Sequence, residues 1–502
     1  MELNTTESKI FCCKTSDAKT AILPVESSMI LPDYYPDVMK ILRYQVNTVP
    51  FPTASENGGE TVSGNVRIEV SYLSEDGELC CCTQLQPYRH TFSGEEQIMA
   101  SESSAIVTEI SCRAVNKRRI DVHGVLNLEL KTLSAEEKTF LAGVEGNGFV
   151  SKGENVGYTL VCGEYYKTFT MEEEGEAGYG KPAFGKILRT EAHAELNECH
   201  VIQDKIVTKG EVLVRALWTA ETEEEDKAFY TSDFHFPVSR MLEADGVGTG
   251  DICDARFVTD FPEIEPSEDG STLKIKVKIG IFARVYRKND LDYLTDAFST
   301  TYESKAERGE FSVISGAVPV EMRENIYDQI ENTDGEEVVD FWVETDQKPT
   351  IGPERKICYA VRLCLFLKNE NGEISYREKV MDRTLDLSVT EQEIGFYNLS
   401  AVILSEEFRQ TRGGNTELSA EILLDGTVYT ENHFDALLSC CADGDKQLER
   451  SSAALVFYYA EAGENIWEIA KAHRTSYDRI LMENDLAYDV LPEPKMLVIP
   501  KE

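Results

Sequence analysis

Apolar and polar residues alternate with a period of two over Ser63–Tyr72 (SGNVRIEVSY), after which Ser74-Glu75-Asp76-Gly77 supplies a hairpin turn. The pattern returns at Lys209–Trp218, where Gly210, Val212, Val214 and Trp218 match Gly64, Val66, Ile68 and Tyr72. A fainter third copy has Tyr359–Phe366 as its strand and Asn371-Gly372-Glu373-Ile374 in place of Asp76-Gly77-Glu78-Leu79. Long alternating strands over Ile120–Leu130, Leu273–Val285 and Leu418–Val428 follow each copy, so the chain reads as a repeat of about 150 residues. Each copy supplies two or more hairpins, which predicts three tandem sandwich or barrel-like β-domains, a mainly β fold. The divisions expected are 1–175, 176–310 and 311–448, with the charged loop Glu221–Asp226 and the glycine-rich Gly246–Gly250 lying inside the second domain. Ahead of the first strand, Leu31–Arg43 reads as an arm. Pro36 suits the first turn of a short helix there, with Val38, Ile41 and Leu42 on one face.

The periodicity changes at the C-terminus. Leu455–Ala460 is a short strand, Ala462-Gly463 a turn, and Asn465 with Glu468 a helix N-cap and its reciprocal partner. A helix is therefore expected from Ile466. Ile466, Ile469, Ala470 and His473 share its buried stripe, and Trp467 stands beside that stripe. A second helix follows Thr475 or Ser476, with Tyr477, Ile480 and Leu481 inward and Asn484 as a left-handed stop. Met496–Ile499 closes the module as a strand. Residues 453–502 thus predict a β-α-α-β unit near the lower size limit for an independent core.

Charge narrows the partners. With 50 Lys+Arg against 90 Asp+Glu the formal charge of this acidic protein is −40, which repels nucleic acid and anionic lipid. The thirteen cysteines include the runs Cys12-Cys13, Cys80-Cys81-Cys82 and Cys440-Cys441, and an odd count with adjacent thiols fits a reducing compartment and not a disulfide framework. The N-terminal stretch has no basic start followed by an apolar core, and no run approaches the roughly 20 apolar residues of a transmembrane helix. A cytoplasmic location is the expectation.

Catalytic and metal motifs are weak. The seven histidines are scattered; His193 and His200, with Glu195 and Cys199 between them, have no zinc-type spacing. Gly246–Gly250 has no following Gly-Lys-Ser/Thr and reads as a loop. Glu263 and Glu265 could serve glycoside hydrolysis only as two carboxylates among many. No catalytic residue, cofactor site or metal site is expected, and the chain reads as a non-enzyme.

Two resemblances sharpen this. Tyr459, Gly463-Glu464, Ile466-Trp467, Ile469-Ala470-Lys471, Ser476, Ile480, Asn484, Leu486 and Leu497-Val498-Ile499-Pro500 make the C-terminal module similar to the LysM domain, known for binding N-acetylglucosamine-containing glycans. That resemblance implies two binding loops, giving Gly463, Glu464, Asn465, Ile466, Trp467, Ala487, Tyr488, Asp489 and Leu491 as partner- or glycan-binding residues. Where the family carries Pro-Gly-Gln, this chain has Glu493-Pro494-Lys495, a stiffer and more acidic turn that favours a protein ligand. Trp467, beside the apolar face of a short helix, reads first as core, and the functional alternative is a docking surface formed with Tyr488 and Leu491. The PDYYPDVMKILR arm and the repeated strand resemble the SPOCS domain of spore-coat and cortex assembly proteins. The combination implies a structural adaptor of endospore coat assembly in the mother-cell cytoplasm at the forespore surface. Its LysM module would bind a coat-basement morphogenetic ATPase of the SpoIVA kind. The alternative is a peptidoglycan-binding protein of wall or cortex, and a wall-modifying enzyme comes third.

Overall fold

The computed structural model describes residues 3–500 except 52, 57–58, 95–97, 147, 179, 221–227, 332–334, 346–347, 390–392, 412–414 and 449–454. The loop Glu221–Asp226 and the module's ends, 453–454 and 501–502, lie outside the described residues.

The first unit runs through β1 (Asn4–Thr15), β2 (Lys19–Ile30), β3 (Val38–Pro50), β4 (Ala54–Glu56), β5 (Gly59–Ser74), β6 (Leu79–Ser93), β7 (Ile98–Asn116) and β8 (Arg119–Glu145). In it β8 is flanked by β1 and β2 along one edge and β7 along the other, while β5 is flanked by β3 and β6 in a facing sheet. Val62, Val66, Ile68, Val70 and Tyr72 of β5 meet Ile120, Val122, Leu126, Leu128 and Leu130 of β8 in one core, which is why both strands alternate so strictly. These sheets are open layers, not closed barrels.

The second unit repeats the plan with β9 (Phe149–Glu176), β10 (Phe184–Ile202), β11 (Lys205–Ala220), β12 (Phe229–Glu243), β13 (Ile252–Thr259), β14 (Glu263–Pro266) and β15 (Thr272–Ser299). The third has β16 (Tyr302–Glu331), β17 (Glu337–Thr345), β18 (Thr350–Ile351), β19 (Lys356–Lys368), β20 (Ile374–Asp386), β21 (Glu393–Gln410) and β22 (Asn415–Gln447). The repeated strands of the sequence are β5, β11 and β19, each central in its three-stranded meander; the long ones are β8, β15 and β22. Gly77 (φ 78°) and Gly372 (φ 81°) make the equivalent turns after β5 and β19.

The arm departs from the sequence reading. Leu31–Arg43 holds no helix: Val38 and Ile41 pair with Ser74 and Tyr72 as the start of β3. The preceding turn is held by Arg118, which donates to the carbonyls of Leu31, Pro32 and Tyr35. Sheet pairing with an apolar neighbour outweighs the helical spacing of three residues. β9 and β16 pair from their first residues with β15 and β22.

Those long strands extend beyond each sandwich as two-stranded ribbons: β1 with the end of β8, the first half of β9 with the end of β15, and the first half of β16 with the end of β22. The three ribbons share a core of Ile10, Phe140, Val156, Tyr293, Phe311 and Phe434. Phe311 stacks on Phe434 at 5.5 Å and meets Phe140 edge-on at 5.7 Å, so all three units bury surface together and not only within themselves. Arg284, fully buried, ties the same units by donating to Ser101 O (3.0 Å), Glu164 (2.6 Å) and Tyr429 Oη (3.1 Å).

Candidate functional site

The C-terminal module comprises β23 (Leu455–Ala460), α1 (Ile466–His473), α2 (Tyr477–Glu483) and β24 (Lys495–Pro500), in the expected order. β23 and β24 pair antiparallel, with Leu455 opposite Pro500 and Tyr459 opposite Met496. Asn465 caps α1 by accepting Trp467 N–H at 2.8 Å. Arg474, in the left-handed region at φ 54°, ends it. Asn484 is not the left-handed stop (φ −111°); Asp485 is, at φ 50°. The side chain of Asn484 instead accepts Val498 N–H at 2.7 Å and donates to Val498 O at 2.8 Å, fastening the end of α2 to the free side of β24.

The two loops expected to form a binding surface do meet. Gly463 N–H donates to Leu491 O (2.8 Å), Leu491 N–H to Glu464 O (3.0 Å) and Ile466 N–H to Asp489 O (2.8 Å). Glu464 accepts from Tyr458 Oη at 3.0 Å, which raises the Tyr458 pKa. Tyr477, pushed up to about 12 by burial and then by its hydrogen bond to Asp489, joins α2 to the second loop.

Not all of the candidate residues reach solvent. Ile466 and Leu491 lie in the module's core, and Trp467 is 4% exposed. Of the candidate residues, Gly463, Ala487, Tyr488 and Asp489 reach solvent, with Glu464 and Asn465 half-buried. Trp467 is held from outside the module. Its indole N–H donates to the Asp296 carboxylate at 2.9 Å, and its ring meets Phe298 edge-on at 5.2 Å; both partners sit at the end of β15, on the second unit's ribbon. Lys471 Nζ reaches the same carboxylate at 2.6 Å, and Arg308 from the third unit lies 3.1 Å away. Burial alone would push Asp296 up, but these three donors hold its pKa below the ordinary carboxylate value. Asp296 and Phe298 carry no local motif, so a sequence scan had no signal for them.

With the helical side docked, the module's sheet is turned outward. Leu455, Phe457 and Tyr459 on β23 and Met496 on β24 are 51%, 69%, 63% and 55% exposed, and the register puts all four on one face. Four large apolar side chains together on one small sheet form a patch of the kind that binds partners.

Elsewhere the candidate chemistry resolves into structure. A bulge between Leu196 and Glu198 puts His193 and His200 on the same face of β10, opposite Leu213 and Val207, and among the described residues no group of three or more His, Cys, Asp or Glu side chains is placed to hold a metal. Gly246 N–H and Gly248 N–H are occupied by the Asp204 and Asp251 carboxylates. Glu263 is paired with Lys276 at 2.9 Å. A cavity of about 960 Å³ opens where the three units meet. At that junction Trp342, fully buried, lies between the guanidinium groups of Arg43 (5.0 Å) and Arg189 (4.4 Å), one from each of the other two units. Arg189 also donates to Asp340 at 2.8 Å.

Among the described residues no helix is long and apolar enough to cross a membrane. No curated protein and no solved structure matches the chain. Residues 184–265, which span β10 to β14, match the family model described as SipL, SPOCS domain. That segment contains the second unit's meander and the repeated strand Lys209–Trp218, so the second unit carries a SPOCS domain similar to that of SipL, a domain that links the chain to sporulation.

Proposed function

We propose that this protein is a non-enzymatic structural adaptor of endospore coat assembly. Its C-terminal LysM-like module binds a coat-basement morphogenetic protein of the SpoIVA kind at the forespore surface, in the mother-cell cytoplasm. The three β-units act as one rigid body that carries the module. The observation that supports this reading most is the outward apolar face of Leu455, Phe457, Tyr459 and Met496, on a module whose other side is fixed to the second unit through Asp296. A fixed module with one free apolar face suits a protein partner, because burying those side chains supplies association energy without unfolding the carrier.

The test is capture of a SpoIVA-type protein by the full chain and by Phe457→Glu/Tyr459→Glu. Both residues are more than half exposed, so the variant should fold normally and lose capture at least tenfold. Undiminished capture would remove the sheet face from the reading. Co-sedimentation with insoluble peptidoglycan, without capture of the coat protein, would favour the glycan-binding alternative instead.

A further inference from the structure

β10 and β13 belong to the two facing layers of the second unit, yet they run past each other in opposite directions along one edge. Thr259 Oγ1 of β13 donates to the carbonyl of Ala192 on β10 at 2.9 Å. Further along, the Phe257 ring presses on Gly210, where an added Cβ would lie 2.6 Å from a ring carbon and 2.0 Å from Glu195 O. Each step toward the start of β13 is thus a step toward the end of β10, and the next contact in this series sets Cys253 against Cys199. Both side chains pack against the same core cluster, and each perturbs the other's titration. Both are half-buried, open enough for a small reagent.

We propose that Cys199 and Cys253 form a reversible disulfide that staples the two layers of the SPOCS unit when a hydroperoxide is present. Cys253 lowers the Cys199 pKa, against burial and the nearby Asp254, which favours Cys199 as the attacking sulfur. Cys253 is raised by the same contact and by burial and stays protonated. In the first step Cys199 Sγ⁻ takes the distal oxygen of hydrogen peroxide, the O–O bond breaks, and sulfenic acid and hydroxide form. In the second, Cys253 Sγ attacks the Cys199 sulfenyl sulfur, the S–O bond breaks and the S–S bond forms. The displaced hydroxide takes the Cys253 proton. Together with the proton Cys199 gave up, the products are one disulfide and two waters per peroxide, and a dithiol reverses the reaction. Cys12, Cys13 and Cys80 to Cys82 are buried inside sheets, and Cys441 is exposed.

The test treats the full folded chain with stoichiometric hydrogen peroxide, alkylates the remaining thiols and maps peptides without reduction. The expected product is a cross-linked peptide pair containing Cys199 and Cys253, lost on adding dithiothreitol, with an unfolding midpoint raised by roughly 5 °C in the oxidised form. Cys199→Ser should give no cross-link and no midpoint shift, with Cys253 fully alkylated. Cys441 serves as the internal control for oxidant exposure. Oxidised Cys441 with Cys199 and Cys253 still alkylated would overturn the proposal, as would either residue cross-linked to a different cysteine.

Discussion

Replacing Asp296 with alanine should free the C-terminal module from the β-body while leaving each folded. The carboxylate is 5% exposed and accepts from a buried indole N–H at 2.9 Å and from Lys471 at 2.6 Å, with Arg308 at 3.1 Å. Stranding the Trp467 N–H forfeits a hydrogen bond to a charged acceptor, roughly 1.5–3 kcal/mol. Lys471 and Arg308 are 38% and 51% exposed, so water takes over most of their solvation and each adds only about 0–1 kcal/mol. The docking contact should therefore weaken by about 1.5–5 kcal/mol, enough to populate an undocked module. Tryptophan fluorescence reads this directly. The chain has three tryptophans, and Trp218 and Trp342 are fully buried in the second and third units, so a red shift in Asp296→Ala reports Trp467 alone. Asp296→Asn keeps an acceptor without the charge and should fall between. The acid limb follows from the lowered pKa: the contribution of Asp296 is complete above its unfolded value of about 3.9 and is lost as pH falls through the lower folded value. Only the wild type should show the red shift between neutral pH and strong acid as a transition; the alanine variant should start from it. Identical emission and identical unfolding in wild type and Asp296→Ala would refute the docking argument.

Three further outcomes test the junction and the repeat. Trp342→Ala removes a buried ring held between Arg43 and Arg189 and should cost roughly 4–6 kcal/mol, seen as an earlier and broader guanidinium unfolding curve. Glu406 is pushed up to about 7, by burial and then by the Glu191 charge, while Val343 N–H and Arg215 bind it. Its protonated form belongs to the fold, so its contribution is full below about pH 4.3 and is lost as pH rises through about 7. The thermal midpoint of wild type should thus fall relative to Glu406→Gln across that window, and parallel curves would contradict the assignment. Gly210→Ala places a Cβ 2.0 Å from Glu195 O, and Gly64→Ala one 2.3 Å from Val49 O, so each should cost roughly 2–3 kcal/mol in chemical denaturation.

Those two glycines show how far the sequence could be read. Their recurrence at matching places in two strands marked the repeat, but the cause is non-local: each lets a neighbouring backbone carbonyl approach a central strand, and neither needs a positive φ. The alternating strands were legible because each has one partner layer and one period. The module's element order was legible for the same reason, with capping and helical spacing both local to residues 455–500. The arm failed as a helix because the apolar spacing of Val38, Ile41 and Leu42 says nothing of β5, whose edge takes up Val38–Pro50 as a strand. The partners that bury Trp467, Asp296 and Phe298, are far away in the chain and carry no pattern, so its contact with the second unit was not legible.

The shared ribbon core changes what the repeat means. Three β-units in tandem suggest separable beads, each removable without harm to the next. Here Phe140, Phe311 and Phe434 come from the first and third units and meet Tyr293 of the second in one cluster. Deleting any unit would leave the facing aromatic side chains of the other two in water, a loss of roughly 2 kcal/mol or more for each large side chain uncovered. The C-terminal module differs, since it has its own core of Ile466, Ile469, Ile480, Leu491, Leu497 and Ile499 and meets the body mainly through Asp296 and Phe298. Removing residues after 453 should therefore spare the cooperative unfolding of the β-body while abolishing partner capture, whereas removing residues 149–299 should abolish both. A β-body that survived loss of its middle unit would show that the ribbons do not hold the three units together.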